Sequence, residues 1–163
     1  AVLLAPGAPD QGLVAYRLGA DGSGGPLLQR RACGSRLVPT AEAIEKGYHF
    51  LEMDGRAVFK WAVNIVTDSS EEVLERARLT VKDLDLVIPH QANVRITNAA
   101  TDVLGIPRDK VFNNLDRYGN TSAGSIPLAM DEARSAGYLN RNDKVLSSGF
   151  GAGLTWGTAV LSV

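Results

Sequence analysis

The feature that most constrains the fold is an alternation of short apolar runs with helical periodicity through the second half of the chain. Leu84 to Ile88 reads as a buried strand closed by Pro89. Asn93 to Leu104 follows, with Ile96, Ala99, Ala100 and Val103 on one helical face. That helix stops at Gly105, with Pro107 just beyond. Val111-Phe112 is short and extended, and Thr121 to Ala136 is helical again, with Gly137 as its stop. Lys144 to Ser147 and Thr155 to Val163 are the last strands. Strands that alternate with helices bury both faces of their sheet. The expected class is therefore α/β, with a sheet covered by helices on both faces.

The first half is less regular. Val58, Trp61, Ala62, Ile65, Val66, Val73, Leu74 and Ala77 recur mostly three and four residues apart, which predicts a helix over Gly55 to Arg78. Leu13 to Leu18 reads as a strand. Pro6 to Gly12 is turn material, so a hairpin with Ala1 to Leu4 is expected. Gly19 to Pro26 reads as loop, and the stretch to Tyr48 as an excursion holding one short helix. The chain opens on Ala1, inside an apolar run. That pattern suggests a strand entered partway in a longer protein; a processed N-terminus is the alternative.

Composition narrows the function. The chain has 163 residues, the size of one domain. Seventeen Lys and Arg against eighteen Asp and Glu leave a formal charge of −1, without the basic excess that nucleic-acid binding asks for. A single cysteine, Cys33, makes no internal disulfide and is too little for a thiolate zinc site. A reducing, cytoplasmic setting is expected, and no metal. No apolar run approaches the ~20 residues of a membrane-crossing helix.

Three short strings can carry chemistry. In Pro89-His90-Gln91-Ala92-Asn93, His90 follows a strand and precedes a helix, the place where open α/β sheets bind ligands. It can act there as a hydrogen-bonding group near neutral pH, or simply cap its helix. In Tyr118-Gly119-Asn120-Thr121-Ser122-Ala123-Gly124-Ser125-Ile126-Pro127, small residues crowd a helix start. Asn120 can cap that helix or aim its amide N–H at a ligand oxygen. Gly149-Phe150-Gly151-Ala152-Gly153 is either a tight hairpin or a stretch of exposed backbone beside a site. Each is weak alone. Together they place two neutral N–H donors, His90 and Asn120, near one rim. Two such donors on one carbonyl oxygen stabilise an enolate or oxyanion. That suits carbon–carbon bond chemistry on a thioester.

In these strings the chain resembles the C-terminal half of β-ketoacyl-ACP synthase III, the initiating condensing enzyme of type II fatty acid synthesis. Asp116-Arg117-Tyr118, Thr155-Trp156-Gly157, Gly19-Ala20-Asp21-Gly22 and Phe59-Lys60 add to the match, which runs in order over almost the whole chain. The resemblance implies a thiolase-like half with a mixed β-sheet, working within a homodimer. It implies acyl-CoA and malonyl-ACP as substrates, coenzyme A and phosphopantetheine thioesters with no separate cofactor. His90 and Asn120 match the family's catalytic histidine and asparagine. Gly149, Phe150, Gly151, Ala152 and Gly153 match a loop beside the nucleophile, with Phe150 making the carboxylate's surroundings apolar. Gly55, Phe59, Ala92 and Asn93 match the pantetheine channel. Lys60 and Arg95 match basic residues that receive the acyl carrier protein, although a solvated helix face explains them as well.

The nucleophile itself belongs to an N-terminal half that this chain lacks, so that half is an expected partner and the isolated chain is expected to be inactive. Cys33, in the excursion, reads as an ordinary cysteine. His49, Trp61 and Trp156 read as structural. Thr101-Asp102 stands where the family often has lysines, which thins the docking patch. A secondary-metabolism paralogue with another acceptor, and a non-catalytic half that only completes a partner, remain open on sequence alone.

Overall fold

The computed structural model describes residues 2, 3 and 5–163. The chain runs through β1 (Gly12–Ala20), the two-residue strand β2 (Leu28–Gln29), α1 (Ala41–Glu45), β3 (Glu52–Met53) and the long helix α2 (Gly55–Ala77). It continues through β4 (Leu86–Pro89), α3 (Val94–Val103), α4 (Leu115–Tyr118), α5 (Ser125–Ser135), β5 (Lys144–Gly151) and β6 (Thr155–Ser162). The main sheet has the order β1-β6-β5-β4, and β2 pairs with β3 in a separate ribbon. β4 runs parallel to β5, while β5–β6 and β6–β1 are antiparallel, so the sheet is mixed.

Residue alternation decides which layer each strand feeds. Val87, Leu146 and Val160 point to one face, where they meet Val73 and Leu74 of α2 together with Leu84 and Ile106. Leu86, Ile88 and Val145 point to the other, against Ala129 and Ala133 of α5 and Leu139. Leu84 and Ile88 are fully buried. Each such side chain contributes about 1.5–3 kcal/mol of transfer free energy. Helices thus lie on both faces of the mixed sheet, as the alternation predicts. On β1, however, only the α2 face is covered. Ala15 packs toward α2 and Arg17 pairs with Glu72 at 2.5 Å. On the opposite face, Val14, Tyr16 and Leu18 are 43%, 54% and 74% exposed.

α2 forms because its apolar residues keep helical spacing and because both ends are capped. The Asp54 carboxylate accepts from Ala57 N–H at 3.0 Å, and Arg78 ends the helix in the left-handed conformation. α3 is capped by Asn93, whose Oδ1 accepts from Arg95 N–H at 3.0 Å. The excursion contains the one short helix expected, α1, closed at its start by the Thr40 side chain.

Several boundaries differ from the sequence expectation. Ala1 and Leu4 lie outside the described residues, and Val2 and Leu3 are not in a strand, so no N-terminal hairpin forms among the described residues. β1 pairs with β6 instead. Gly19 and Ala20 belong to β1, not to a loop. Gly19 lies opposite Trp156, and a Cβ there would sit 2.1 Å from the indole ring, so glycine lets the strand continue beneath it. The helix expected from Thr121 splits into a 3-10 turn, Ser122–Gly124, and α5, with Pro127 tolerated in the first turn of α5. β5 runs past Ser147 to Gly151, because Gly149, Phe150 and Gly151 still ladder with Gly157, Trp156 and Thr155.

Candidate active site

The site is built where β4 and β5 end side by side. His90 is the first residue past β4, and its backbone N–H donates to the Ser148 carbonyl of β5 at 2.7 Å. The next residue fixes the turn. Gln91 is only 2% exposed. Its Nε2 donates to the carbonyls of Pro89 (2.8 Å) and Phe112 (3.4 Å), and its Oε1 accepts from Asn114 N–H at 3.3 Å. A buried amide satisfied on both ends anchors the loop that carries His90. Behind β5, Thr158 Oγ1 lies 2.8 Å from Ser148 Oγ and 2.7 Å from Ser69 Oγ of α2. This hydroxyl chain ties α2 to the strands beneath the site.

The His90 ring is half-buried. Its Nδ1 lies 2.6 Å from Ser125 Oγ, and its face meets Phe150 edge-on with centroids 5.5 Å apart. Desolvation pushes its pKa below the ordinary histidine value, so the ring is neutral at neutral pH. His90 does not cap α3; Asn93 does that work.

Asn120 follows Gly119, which ends α4 with φ +65°. Its Oδ1 accepts from Ser122 N–H at 2.9 Å, a local turn bond. Asn120 thus caps neither the 3-10 turn, which starts from Thr121, nor α5, which starts from Gly124. The oxygen holds the turn while the Nδ2 donors are left without a partner among the described residues.

His90, Asn120, Gly149, Phe150, Gly151 and Ala152 line one cavity of about 950 Å³ that opens to solvent. Gly55, Phe59, Ala92 and Asn93 line it as well. Of the residues picked from the sequence, Gly153, Lys60 and Arg95 do not. Gly153 sits beyond the last β5 residue, in the turn to β6. Lys60 and Arg95 are exposed beside the cavity, and the Arg95 guanidinium lies 5.8 Å from the Phe59 ring centre. Cys33 is exposed, in the excursion, and is not among the cavity residues.

The structure adds lining residues that the sequence reading passed over: Leu18, Leu51, Met53, Ser125 and, from the residues read as structural, Trp156. Trp156 stands edge-on to Trp61, 6.1 Å between centroids, and Trp61 in turn to Phe150 at 6.0 Å. The aromatic wall beside His90 is thus locked from behind. His49 stacks on Phe50 at 4.0 Å and does not line the cavity.

Among the described residues, no Asp, Glu or Cys lines the cavity. Two neutral N–H donors, an aromatic wall and exposed glycine backbone form a poorly solvating surface. Such a surface can stabilise negative charge on a bound oxygen while disfavouring a free carboxylate. It offers no thiol for covalent catalysis.

Residues 74–163 match the family described as 3-oxoacyl-[acyl-carrier-protein] synthase III C terminal. Among known proteins, the beta-ketoacyl-[acyl-carrier-protein] synthase III of Rhodopirellula baltica is 52% identical over 149 residues, covering 91% of this chain and 43% of that protein. The corresponding protein of Natranaerobius thermophilus is 48% identical over 155 residues, covering 95% of this chain and 47% of its own length. The crystal structure of synthase III from Thermus thermophilus superposes with a TM-score of 0.84 at 42% identity, over 96% of this chain and 47% of that one. The chain spans about half the length of the curated relatives it matches. It belongs to the 3-oxoacyl-[acyl-carrier-protein] synthase III family, of which it represents the C-terminal part.

Proposed function

We propose that residues 1–163 form the C-terminal domain of a condensing acyltransferase that joins an acyl-CoA-derived acyl group to malonyl-ACP. The reading rests on one observation, the placing of His90 and Asn120 on a cavity walled by Phe150 and the β5 glycines. The malonyl carboxylate leaves as CO₂, and its C–C electron pair moves into the thioester as an enolate. His90 Nε2–H and Asn120 Nδ2–H donate to the enolate oxygen, and Phe150 desolvates the carboxylate. The enolate carbon then attacks an acyl thioester on a cysteine of an N-terminal half, and that cysteine leaves as thiolate. In this reading Gly55, Phe59, Ala92 and Asn93 hold the pantetheine arm, while Lys60 and Arg95 receive the acidic carrier protein. The working protein is a cytoplasmic homodimer in which each copy carries both halves.

The test is malonyl-ACP decarboxylation by this chain joined to the nucleophile-bearing half. His90→Ala and Asn120→Ala each remove one oxyanion donor, and each should slow the step about 100–1,000-fold. Normal decarboxylation by either variant overturns its assigned role. Acyl transfer to another acceptor, with none to malonyl-ACP, overturns the substrate assignment and leaves the donors in place.

A further inference from the structure

The His90 ring has two nitrogens, and only one of them can serve the cavity. We infer that Ser125 is the positioning residue that fixes which one carries the proton, holding His90 as the Nε2–H tautomer; this deepens the reading given above and rests on it. A serine hydroxyl has one proton to give and two lone pairs to receive. Ser125 is 2% exposed, so water does not readily complete its bonding. Two groups reach its Oγ, the Gln91 backbone N–H at 3.2 Å and His90 Nδ1 at 2.6 Å.

The Gln91 N–H is only a donor, so it occupies one lone pair. If Nδ1 also carried a proton, both neighbours would donate to the hydroxyl. The hydroxyl's own proton would then have no acceptor among the described residues, and a buried unsatisfied donor is costly. With Nδ1 as acceptor all three groups are satisfied. The serine proton goes to Nδ1, and the ring proton sits on Nε2, which has no partner among the described residues. Burial keeps the ring neutral, which supports the same assignment.

Ser125 can do this because it is held rigidly. It opens α5, whose Ala129 and Ala133 are fully buried under the sheet. Gln91, which supplies the second bond, is itself pinned at both ends of its amide.

The experiment is nitrogen-resolved NMR of the two histidines of the chain, recorded above the pKa of the ring, with His90 assigned through His90→Gln. The expected spectrum has His90 Nδ1 unprotonated and Nε2 protonated. A protonated Nδ1 in the unaltered chain overturns the inference, and that result needs no variant to fold. Ser125→Ala should yield a mixture of tautomers, and Ser125→Thr, which keeps the hydroxyl, should restore the single form. An unchanged tautomer in Ser125→Ala also overturns it. In the chain joined to the nucleophile-bearing half, Ser125→Ala should lower kcat for malonyl decarboxylation about ten- to a hundredfold, the size of effect seen when metal-binding histidines lose the partner that orients them, with KM little altered. If His90→Ala leaves decarboxylation untouched, the functional reading fails while the tautomer result stands. If only the tautomer is wrong, the functional reading survives.

Discussion

His90 makes a pH prediction that its burial dictates. In the unfolded chain the imidazole takes up a proton near its ordinary pKa of about 6.5. In the folded chain burial delays that protonation to lower pH. Between the two values the unfolded state binds more protons. The stability associated with neutral His90 is therefore intact above the ordinary value and is lost as pH falls toward the folded one. Denaturant midpoints measured across that window should fall more steeply for the unaltered chain than for His90→Gln. Equal slopes would mean that the ring is not desolvated. The place of His90 was legible in sequence, because Pro89 closes a strand and a helical pattern begins at Asn93; α4, which Gly119 ends just before Asn120, was not. Ser125 was visible only as one small residue in a row of them. Its contact with His90 joins positions 35 apart, and no periodicity or cap signal reports a contact of that kind. Gln91 was hidden for the same reason, since its partners Phe112 and Asn114 come from a later connection.

At the scale of elements, the glycines of the strands control how closely aromatic side chains can approach. Gly19→Ala would place its Cβ 2.1 Å from the Trp156 ring, whose escape is limited by Trp61 standing edge-on to it. Overpacking of this kind typically costs about 1–3 kcal/mol. The urea midpoint of Gly19→Ala should therefore drop measurably. Gly151, by contrast, has open space where a Cβ would go. Gly151→Ala should stay within about 0.5 kcal/mol of the unaltered chain. Equal midpoints for the two variants would contradict the packing account. The same glycines explain why strand ends were the least legible part of the fold. Gly19-Ala20 and Gly149-Phe150-Gly151 read locally as loop, yet their backbones complete the ladder and leave room for Trp156 and the cavity. The extents of α2 and α3 were legible within a residue or two from their apolar spacing, but the buried face of α3 was not: Val103 is 66% exposed, and Thr97 and Thr101 lie buried beside Ile96 and Ala100.

At the scale of the whole molecule, the exposed row Val14, Tyr16 and Leu18 on β1 is the main unfinished feature. The functional reading supplies a cover, the nucleophile-bearing half. The chain alone should bind an apolar dye such as anilinonaphthalene sulfonate, and joining it to that half should quench most of the signal. Equal dye binding before and after joining would place the other half elsewhere. In the proposed function His90 and Asn120 stabilise an enolate and hold no acyl group, and the one cysteine, Cys33, is not among the cavity residues. The most direct measurement is formation of the β-ketoacyl product from acyl-CoA and malonyl-ACP, by the chain alone and by the chain joined to the nucleophile-bearing half. The account predicts no product from the chain alone and product from the joined protein. Turnover by the chain alone, or a folded joined protein that forms no product, would contradict it.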